Sequence, residues 1–427
     1  MQICYLTYGE PVFSQLLQTQ AVRLLQLLSR KSSVTIEWVA FISPVDLLFH
    51  REEMRRMRRE VSQAGITLTL YPLPILYSRY FLPRAWLLPW LIFLGSVVLS
   101  AHFGQHRHPK LIHARGYMAT LLTIVSRKHR NDFSILFDPR SLFPEENVTA
   151  GNWTVHSIDF ALWKRLEAYI MKRVDTVVGV SAGFKQLLRD IPRSNLPRFA
   201  IVPCTVDTQH YDQVPVERDS VLKELGMPAD SLVIAYTGSI GRWNSPKTIA
   251  RYFYCAWCAD SRCRLLVITN GRFDHLEREL LKYKLPLDTY CIVRVESSKV
   301  ARYLKASDVG LQVMEPALDS PTRLGVKFAE YMAAGLPVIV NRYAGAAKDY
   351  VETNGVGVVV DQPENEMGQA LTTLRLHRED IATRCRELAH RSFDVNEAVC
   401  QYALLYDDLL KPTKLLPRVP EKGETAE

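Results

Sequence analysis

The sequence has few cysteines, no Asp-x-Asp motif and no long, uninterrupted apolar run, and each of these absences narrows the possible functions. Eight cysteines in 427 residues are too few for a fold held together by disulfides. Without Asp-x-Asp, the chain lacks a carboxylate pair often used to hold a divalent metal ion. The sequence therefore predicts a reduced, cytoplasmic protein whose chemistry needs no metal.

Length and composition indicate a globular protein with two domains. A chain of 427 residues is longer than one hydrophobic core usually supports, and domains of about 200 residues are a common solution. Apolar residues make up 48% and charged residues 23%, which excludes disordered and fibrous proteins. A mean hydropathy of -0.05 excludes a protein with many membrane spans.

Positive charge is in excess, with 53 Lys and Arg residues against 45 Asp and Glu residues. This excess favours an anionic partner, such as a nucleic acid, a lipid headgroup or a phosphorylated small molecule. Residues 50–59 carry five arginines interleaved with Glu52 and Glu53. The segment is either a solvated helix face or a patch that contacts an anionic membrane. No nucleic-acid-binding signature accompanies it, so we expect no nucleic-acid partner.

One uncharged and mostly apolar stretch covers residues 85–101. Its 17 residues stand at the lower limit for crossing a bilayer, and a proline and a glycine interrupt it. We therefore predict a buried or half-buried helix, and a transmembrane helix is the less favoured alternative. Trp86 and Trp90 would still let the exposed side of that helix rest on a membrane interface.

The first half of the chain alternates between short apolar runs and helical patterns. The first apolar run, residues 2–7, is followed by a helical pattern over residues 14–30. Further strand-like runs lie at residues 34–41, 66–70, 111–113, 135–138, 176–180 and 200–203. This alternation predicts a parallel sheet with helices on both faces.

The alternation restarts after a polar, proline-containing segment at residues 207–228, which is the predicted interdomain linker. Strand-like runs recur at residues 232–236, 264–268, 291–295, 309–313, 337–340 and 357–360. We therefore predict two Rossmann-like, doubly wound α/β domains, residues 1–212 and 213–395, that face a central cleft. A last helix is predicted over residues 396–412, and residues 413–427 are predicted to be disordered.

The most informative segment is residues 320–339. A loop with Pro321 and Gly325 precedes a predicted helix whose first turn carries Lys327 and Glu330. Backbone N–H groups at the start of this helix would bind a phosphate, and Lys327 adds a positive charge. Glu330 lies on the same helix face and can accept hydrogen bonds from a vicinal diol such as ribose.

A thirteen-residue run resembles the donor-binding signature of family 4 glycosyltransferases: residues 327–339 read Lys-Phe-Ala-Glu-Tyr-Met-Ala-Ala-Gly-Leu-Pro-Val-Ile. The resemblance implies a retaining enzyme of the two-domain GT-B fold, with a final helix that crosses back onto the first domain. In the family's Glu-x7-Glu motif, the second Glu holds the ribose and the first lies near the donor sugar. Glu330 matches the second position, whereas Thr322 replaces the first Glu. The predicted donor contacts of the loop are Thr322, Leu324, Gly325 and Val326.

A second loop supports this resemblance. Residues 236–243 follow the first strand of the second domain and read Tyr-Thr-Gly-Ser-Ile-Gly-Arg-Trp. They are similar to the family's Gly-Arg…Lys diphosphate clamp, although Ser239 follows Gly238 where the family usually has the Arg. Arg242 and Lys247 are the cations predicted to hold the diphosphate instead. The alternative is that each is a solvated loop charge.

The resemblance also assigns residues of the first domain. Gly9 lies in the family's first loop, where the backbone approaches donor phosphate and acceptor. His113 resembles the family's strand-end histidine and is either a catalytic contact or a structural residue. Asp138 and Arg140 resemble a segment of the polysaccharide-assembly members. They are predicted to bind the acceptor or to order a loop, and a local ion pair is the alternative.

Cys255 and Cys258 have the spacing of a redox or zinc pair. Both fall in an apolar helical pattern, and we therefore expect both to be core residues.

The sequence thus predicts a retaining, metal-independent glycosyltransferase that moves a sugar from a nucleotide-diphosphate donor to a hydroxyl group. The predicted catalytic residues are Lys327, Arg242 and His113. We expect no cofactor besides the donor, and favour a UDP-sugar over a GDP- or ADP-sugar. The expected acceptor is a glycan or a lipid-linked glycan of cell-surface polysaccharide or glycolipid assembly, at the inner face of a membrane. A non-catalytic nucleotide-sugar- or glycan-binding protein and a nucleotide-sugar epimerase are the alternatives.

Overall fold

The computed structural model describes residues 2–14, 17–31, 34–75, 87–105, 109–127, 133–189, 196–241 and 243–411. Arg242, Trp86 and the predicted disordered tail lie outside the described residues. The described chain folds into two parallel β-sheets, each covered by helices, as the alternating pattern predicts.

The first domain is built on a seven-stranded sheet in the order β3-β2-β1-β4-β5-β6-β7. Its strands are β1 Gln2–Tyr8, β2 Thr35–Ile42, β3 Thr67–Pro72, β4 Leu111–Arg115, β5 Ser134–Asp138, β6 Thr176–Gly179 and β7 Arg198–Ile201. Its α-helices are α1 Arg23–Lys31, α2 Pro44–Phe49, α3 Arg51–Ser62, α4 Leu88–Gln105, α5 Tyr117–Arg127, α6 Phe143–Thr149 and α7 Ile158–Met171. Strand β4 is buried along its whole length, as a central strand between two helical layers requires.

The second domain is built on a six-stranded sheet in the order β10-β9-β8-β11-β12-β13. Its strands are β8 Leu232–Thr237, β9 Cys263–Ile268, β10 Tyr290–Val293, β11 Val309–Gln312, β12 Val338–Val340 and β13 Gly357–Val359. The helices of the remaining chain are α8 Thr208–Gln213, α9 Arg218–Glu224, α10 Pro246–Ala259, α11 Asp274–Lys282, α12 Ser297–Lys305, α13 Val326–Ala333, α14 Ala346–Asn354, α15 Pro363–Leu376, α16 Arg378–Leu388 and α17 Val395–Leu410. The strand order reverses between β8 and β11, and ligands of such sheets bind at this kind of switch point.

The segment predicted to be an irregular linker contains the two short helices α8 and α9. Asp207 caps α8, because its carboxylate accepts a hydrogen bond from the backbone N–H of His210. The Nζ of Lys305 donates to the carbonyl groups of Tyr211 and Val214 and ties the segment to the second domain. Helices of six and seven residues are too short to show a clear period in the sequence.

Cys255 is buried in helix α10, but Cys258 is exposed on the same helix. The expectation that both are core residues is therefore wrong for Cys258.

The apolar stretch at residues 85–101 forms most of helix α4, which has one buried and one exposed side. Among the described residues, no helix is long and apolar enough to cross a membrane.

The last helix, α17, crosses back onto the first domain, as the resemblance implies. Its buried side chains join the core that the first domain forms with β1 and β2; they include Ala398, Val399, Tyr402, Leu405 and Tyr406. The hydroxyl of Tyr406 lies 2.7 Å from Nδ1 of His113 on strand β4. Helix α17 therefore completes the core of the first domain.

The two domains meet where the loop before α13 contacts the turn after β6. The hydroxyl of Ser181 donates to the carbonyl of Thr322, with 3.1 Å between the oxygens. A Cβ added at Gly183 would lie 2.0 Å from the carbonyl oxygen of Pro321. Only glycine therefore permits this approach between two backbones.

We expect Gly183→Ala to lower the free energy of unfolding by about 1–3 kcal/mol, because the added methyl group overpacks the domain interface. Denaturant unfolding measures this change. Gly368→Ala is the matched control, because its Cβ would only make an ordinary 3.7 Å contact with Ala259. Equal stability of the two variants would contradict the close contact between the domains.

Candidate active site

Helix α13 places Lys327 and Glu330 near the carboxyl end of strand β8. The helix begins after Gly325, which has no side chain to cap the first N–H groups. It ends before Gly335, whose φ of +67° is the left-handed conformation that glycine readily adopts at a helix end. The segment 320–339 therefore folds as the loop, helix and strand that its sequence predicts.

The ammonium group of Lys327 is surrounded mainly by neutral partners. Its Nζ donates to the hydroxyl of Tyr236 at 3.1 Å and to Oδ1 of Asn244 at 3.0 Å. It also lies 4.2 Å from the centre of the Tyr236 ring, a cation–π contact. Burial lowers the pKa of Lys327 to about 7, and Glu330 only partly opposes this effect.

Glu330 is half-buried beside the same strand end. Its Oε2 accepts a hydrogen bond from the hydroxyl of Thr237, at 3.4 Å. Burial raises the pKa of Glu330, while Thr237 and Lys327 act in the opposite direction. Burial therefore favours the neutral forms of both Lys327 and Glu330, and a ligand that offers an anion and hydrogen-bond donors would favour their charged forms.

The loop after β8 lies against Lys327. Gly238 has a φ of +101°, and a Cβ there would lie 3.7 Å from Cε of Lys327. The carbonyl of Ser239 accepts hydrogen bonds from the hydroxyl of Tyr236 and from Nδ2 of Asn244. The backbone of Ser239 thus fixes the two groups that hold Lys327. Lys247 is exposed in the first turn of α10.

The loop before α13 turns its predicted contact residues in different directions. Thr322 is buried, and its hydroxyl donates to the carbonyl of Asp319 at 2.8 Å. Leu324 is also buried, and its carbonyl accepts from Sγ of Cys204 in the first domain. Gly325 and Val326 are half-buried at the helix start. The hydroxyl of Thr322 therefore forms a hydrogen bond within its own loop.

A buried ion pair supports the same loop. Arg323 makes a two-point contact with Asp319, with N–O distances of 2.8 and 3.0 Å. The hydroxyl of Thr149, on α6 of the first domain, donates to Oδ1 of Asp319 at 2.9 Å. Asp319 therefore links the loop to the opposite domain.

The residues predicted in the first domain form a second cluster at the ends of β4 and β5. Asp138 is buried, with one carboxylate oxygen 3.6 Å from His113 and 3.6 Å from Arg140. Burial alone would raise the pKa of Asp138, but Arg140, His113 and Arg115 outweigh it and lower this pKa to about 2. Arg140 has a φ of +62°, a conformation that non-glycine residues rarely adopt.

The loop of Gly9 is attached to this cluster. Gly9 has a φ of +80°, and a Cβ there would lie 2.9 Å from Ile75. The Nε–H of Arg115 is shared between the two carboxylate oxygens of the next residue, Glu10, with N–O distances of 3.0 and 2.8 Å. Arg115 and Arg140 both donate to Oε1 of Gln20.

His113 lies deep in this cluster, with 1% of its surface exposed. Its ring packs against Tyr5, Tyr402 and Tyr406. Burial lowers the pKa of His113, and Asp138 opposes this effect. A catalytic role for His113 stays a prediction, and the structure gives this residue contacts that join helix α17 to the sheet.

Several residues of the site were not singled out from the sequence. In the sequence, Tyr236 is only one residue of a loop, and the ion pair of Asp319 and Arg323 has no recognisable pattern apart from an i, i+4 spacing. No motif or pattern in the sequence indicates a role for Asn244. Among the residues that the structure describes, no group of three His, Cys, Asp or Glu side chains is placed to hold a metal ion.

Comparisons with known proteins found similarity in the sequence of the second domain and in the fold of the whole chain. Residues 217–391 match the family model of glycosyl transferases group 1. A search of curated proteins found no relative of the chain. HepE of Anabaena, solved in complex with UDP, superposes with a TM-score of 0.69 at 14% identity, covering 96% of this chain and 100% of that one. Sucrose-phosphate synthase of Thermosynechococcus elongatus gives a TM-score of 0.67 at 18% identity, covering 96% and 99%.

A glycosyltransferase of Rickettsia africae is similar to the same extent, with a TM-score of 0.68 at 14% identity over 96% of this chain and 99% of that one. At these identities the likeness shows the fold, which is GT-B: two Rossmann-like domains that face each other. The matched second domain and the fold together support a GT-B glycosyltransferase.

Burial of Lys327 is expected to make the stability of the protein rise with pH. Between a folded pKa of about 7 and the ordinary value of 10.5, the unfolded chain binds more protons than the folded chain. Its free energy of unfolding therefore increases as pH rises through this window. Denaturant unfolding between about pH 7 and pH 8, below the range in which the raised pKa values of buried cysteines oppose the effect, should show this increase in the wild type but not in Lys327→Met.

Lys348→Met is the control for this measurement. Lys348 pairs with Glu352 at 2.7 Å, and this pairing raises the pKa of Lys348. The Lys348→Met variant should therefore keep the increase seen in the wild type. If the free energy of unfolding changed with pH in the same way in Lys327→Met and the wild type, burial would not lower the pKa of Lys327.

Proposed function

We propose that the protein is a retaining glycosyltransferase that transfers a sugar from a nucleotide-diphosphate donor to a hydroxyl group of a glycan or lipid-linked glycan. The observation that carries the proposal is the position of Lys327 and Glu330, one helical turn apart at the carboxyl end of β8. Lys327 and the N–H groups at the start of α13 would hold the diphosphate. Glu330 would accept hydrogen bonds from the ribose hydroxyl groups.

The donor in this proposal is a UDP-sugar, ahead of a GDP- or ADP-sugar. HepE of Anabaena, which has the same fold, was solved with UDP and with UDP-glucose. Arg242, which follows β8 in the sequence, and Lys247, in the first turn of α10, would add positive charge on the diphosphate. Thr322 would not contact the donor sugar through its hydroxyl, because that group is bonded within its own loop.

The proposed reaction breaks the bond between the anomeric carbon and the diphosphate oxygen and forms a bond from that carbon to the acceptor oxygen. Negative charge develops on the departing nucleoside diphosphate, and Lys327 and the helix start would stabilise it. The leaving phosphate oxygen would take the proton of the acceptor hydroxyl. No protein nucleophile and no metal ion enters this scheme.

The acceptor is assigned to the first domain, with Gly9, Asp138 and Arg140 at its sheet end. Because Asp138 and Arg140 pair with each other, both would act by ordering the loops around the acceptor. His113, between Asp138 and Tyr406, would act in the same indirect way. We place the reaction in cell-surface polysaccharide or glycolipid assembly, in a cytoplasmic protein that contacts the inner face of the membrane.

We expect Lys327→Ala and Glu330→Ala each to weaken UDP binding by roughly tenfold or more, because each loses hydrogen bonds to a charged group. Isothermal titration calorimetry measures the affinity. Lys348→Ala, which removes a half-buried lysine of α14 that pairs with Glu352, is the matched control and should bind as the wild type does. Unchanged affinity in both site variants would show that the nucleotide binds elsewhere.

Release of nucleoside diphosphate from nucleotide sugars separates this function from its alternatives. A glycosyltransferase releases the diphosphate when a suitable acceptor is present. Binding without release, across a panel of glycan and lipid-linked acceptors, would favour a non-catalytic binding protein. Conversion of the sugar without an acceptor would favour an epimerase.

A further inference from the structure

Helix α4 exposes an apolar stripe that no described part of the chain covers. Four large side chains spaced i, i+3, i+4 and i+7 are exposed by 68%, 60%, 50% and 49%: Trp90, Phe93, Leu94 and Val97. The remaining exposed residues of this helix are also uncharged; they are Pro89, Ala101 and Gly104. A contiguous apolar surface of this kind marks an interaction site in a water-soluble fold.

The opposite side of α4 is firmly packed, so the stripe has a fixed position. Leu91 and Leu99 are buried in the core of the first domain. A Cβ at Gly95 would lie 2.8 Å from Leu122, which shows how closely α4 approaches α5. Near its carboxyl end, His102 is fully buried and lies 2.9 Å from Glu37 of strand β2. The helix cannot rotate to bury the stripe without losing these contacts.

Edge strand β3 places a basic groove beside this helix. Consecutive residues of a strand point to opposite faces of the sheet. Tyr71 points toward α4, where its hydroxyl lies 2.9 Å from Nδ1 of His102. Leu70 lines a groove on the other face, together with Leu47, Arg51, Met54, Arg55 and Arg58. Helix α4 and the groove with its three arginines therefore lie on opposite faces of the sheet, and both contact its edge strand β3.

The net charge of the protein is confined to the domain that carries this edge. Residues 1–212 contain 25 Lys and Arg against 16 Asp and Glu, which gives +9. Residues 213–427 contain 28 against 29, which gives -1. A positive domain with an exposed Trp-bearing stripe is complementary to an anionic bilayer, in which apolar side chains enter the interface and cations meet phosphates.

We propose that the β3 edge of the first domain is a membrane-docking surface, in which the α4 stripe inserts into the interface of an anionic bilayer and the groove arginines bind lipid phosphates. A stripe without a charged side chain suits the lipid interface better than a protein partner, whose interface would have a polar rim. The proposed function includes a contact with the membrane, and this inference rests on that contact. It adds where on the protein the contact lies.

Co-sedimentation of the whole protein with vesicles tests the proposal. The wild type should bind phosphatidylcholine vesicles that contain phosphatidylglycerol and should bind pure phosphatidylcholine vesicles less well. Trp90→Gln/Phe93→Gln should reduce binding to the anionic vesicles by roughly tenfold or more, because two large side chains no longer enter the interface. Arg55→Gln/Arg58→Gln should reduce binding at low salt and remove most of its salt dependence.

Matched variants in the second domain control for general changes of the surface. Leu287→Gln/Leu376→Gln removes two leucines that are 76% and 70% exposed, and should bind vesicles as the wild type does. Arg272→Gln/Arg278→Gln removes two exposed arginines of the other domain and should also leave binding unchanged. Equal binding by the stripe variant and its control would overturn the proposal.

Two further measurements identify the other possible outcomes. Light scattering reports whether a second copy of the chain covers the stripe. A dimer that Trp90→Gln/Phe93→Gln converts to a monomer, without vesicle binding by the wild type, would overturn the proposal. UDP binding by the stripe variant should equal that of the wild type, so a failure of membrane docking is distinguishable from a failure of the proposed donor site.

Discussion

The position of the candidate active site depends on the contact between the loop before helix α13 and the first domain. Glycine at position 183 lets its backbone approach the carbonyl of Pro321, and Asp319 is held from both sides, by Arg323 and by Thr149. This loop leads directly into the start of α13. A displacement of the loop would therefore move Lys327 and Glu330 relative to the opposite domain.

The two clusters of polar residues are electrostatically different. Around Asp138 the charges are already balanced, since buried arginines and a histidine lower the pKa of this carboxyl group. At the candidate donor site the charges are not stabilised by partners in this way, because burial lowers the pKa of Lys327 and raises that of Glu330. The first cluster is held together by its own ion pairs, whereas the second would gain stability from an anionic ligand.

Much of the architecture can be predicted from the sequence, because both domains consist of strands and helices long enough to show their periods. The turn at Lys327 can also be predicted, since a loop, a helix start and a terminating glycine lie within twenty residues. Contacts between side chains from distant segments cannot be predicted in this way. Asn244, for example, accepts a hydrogen bond from Lys327, which lies 83 positions further along the chain. Nor does an apolar sequence tell which side of a helix is covered, as α4 illustrates.

The return of helix α17 to the first domain has a consequence for the order in which the protein folds. Tyr402 and Tyr406 bury His113, yet they follow the whole second domain in the chain and are therefore synthesised after it. During synthesis, the face of the first sheet that α17 covers in the folded protein therefore stays exposed until the whole second domain has been made. That exposed face is the point at which a nascent chain of this protein is most in need of a chaperone.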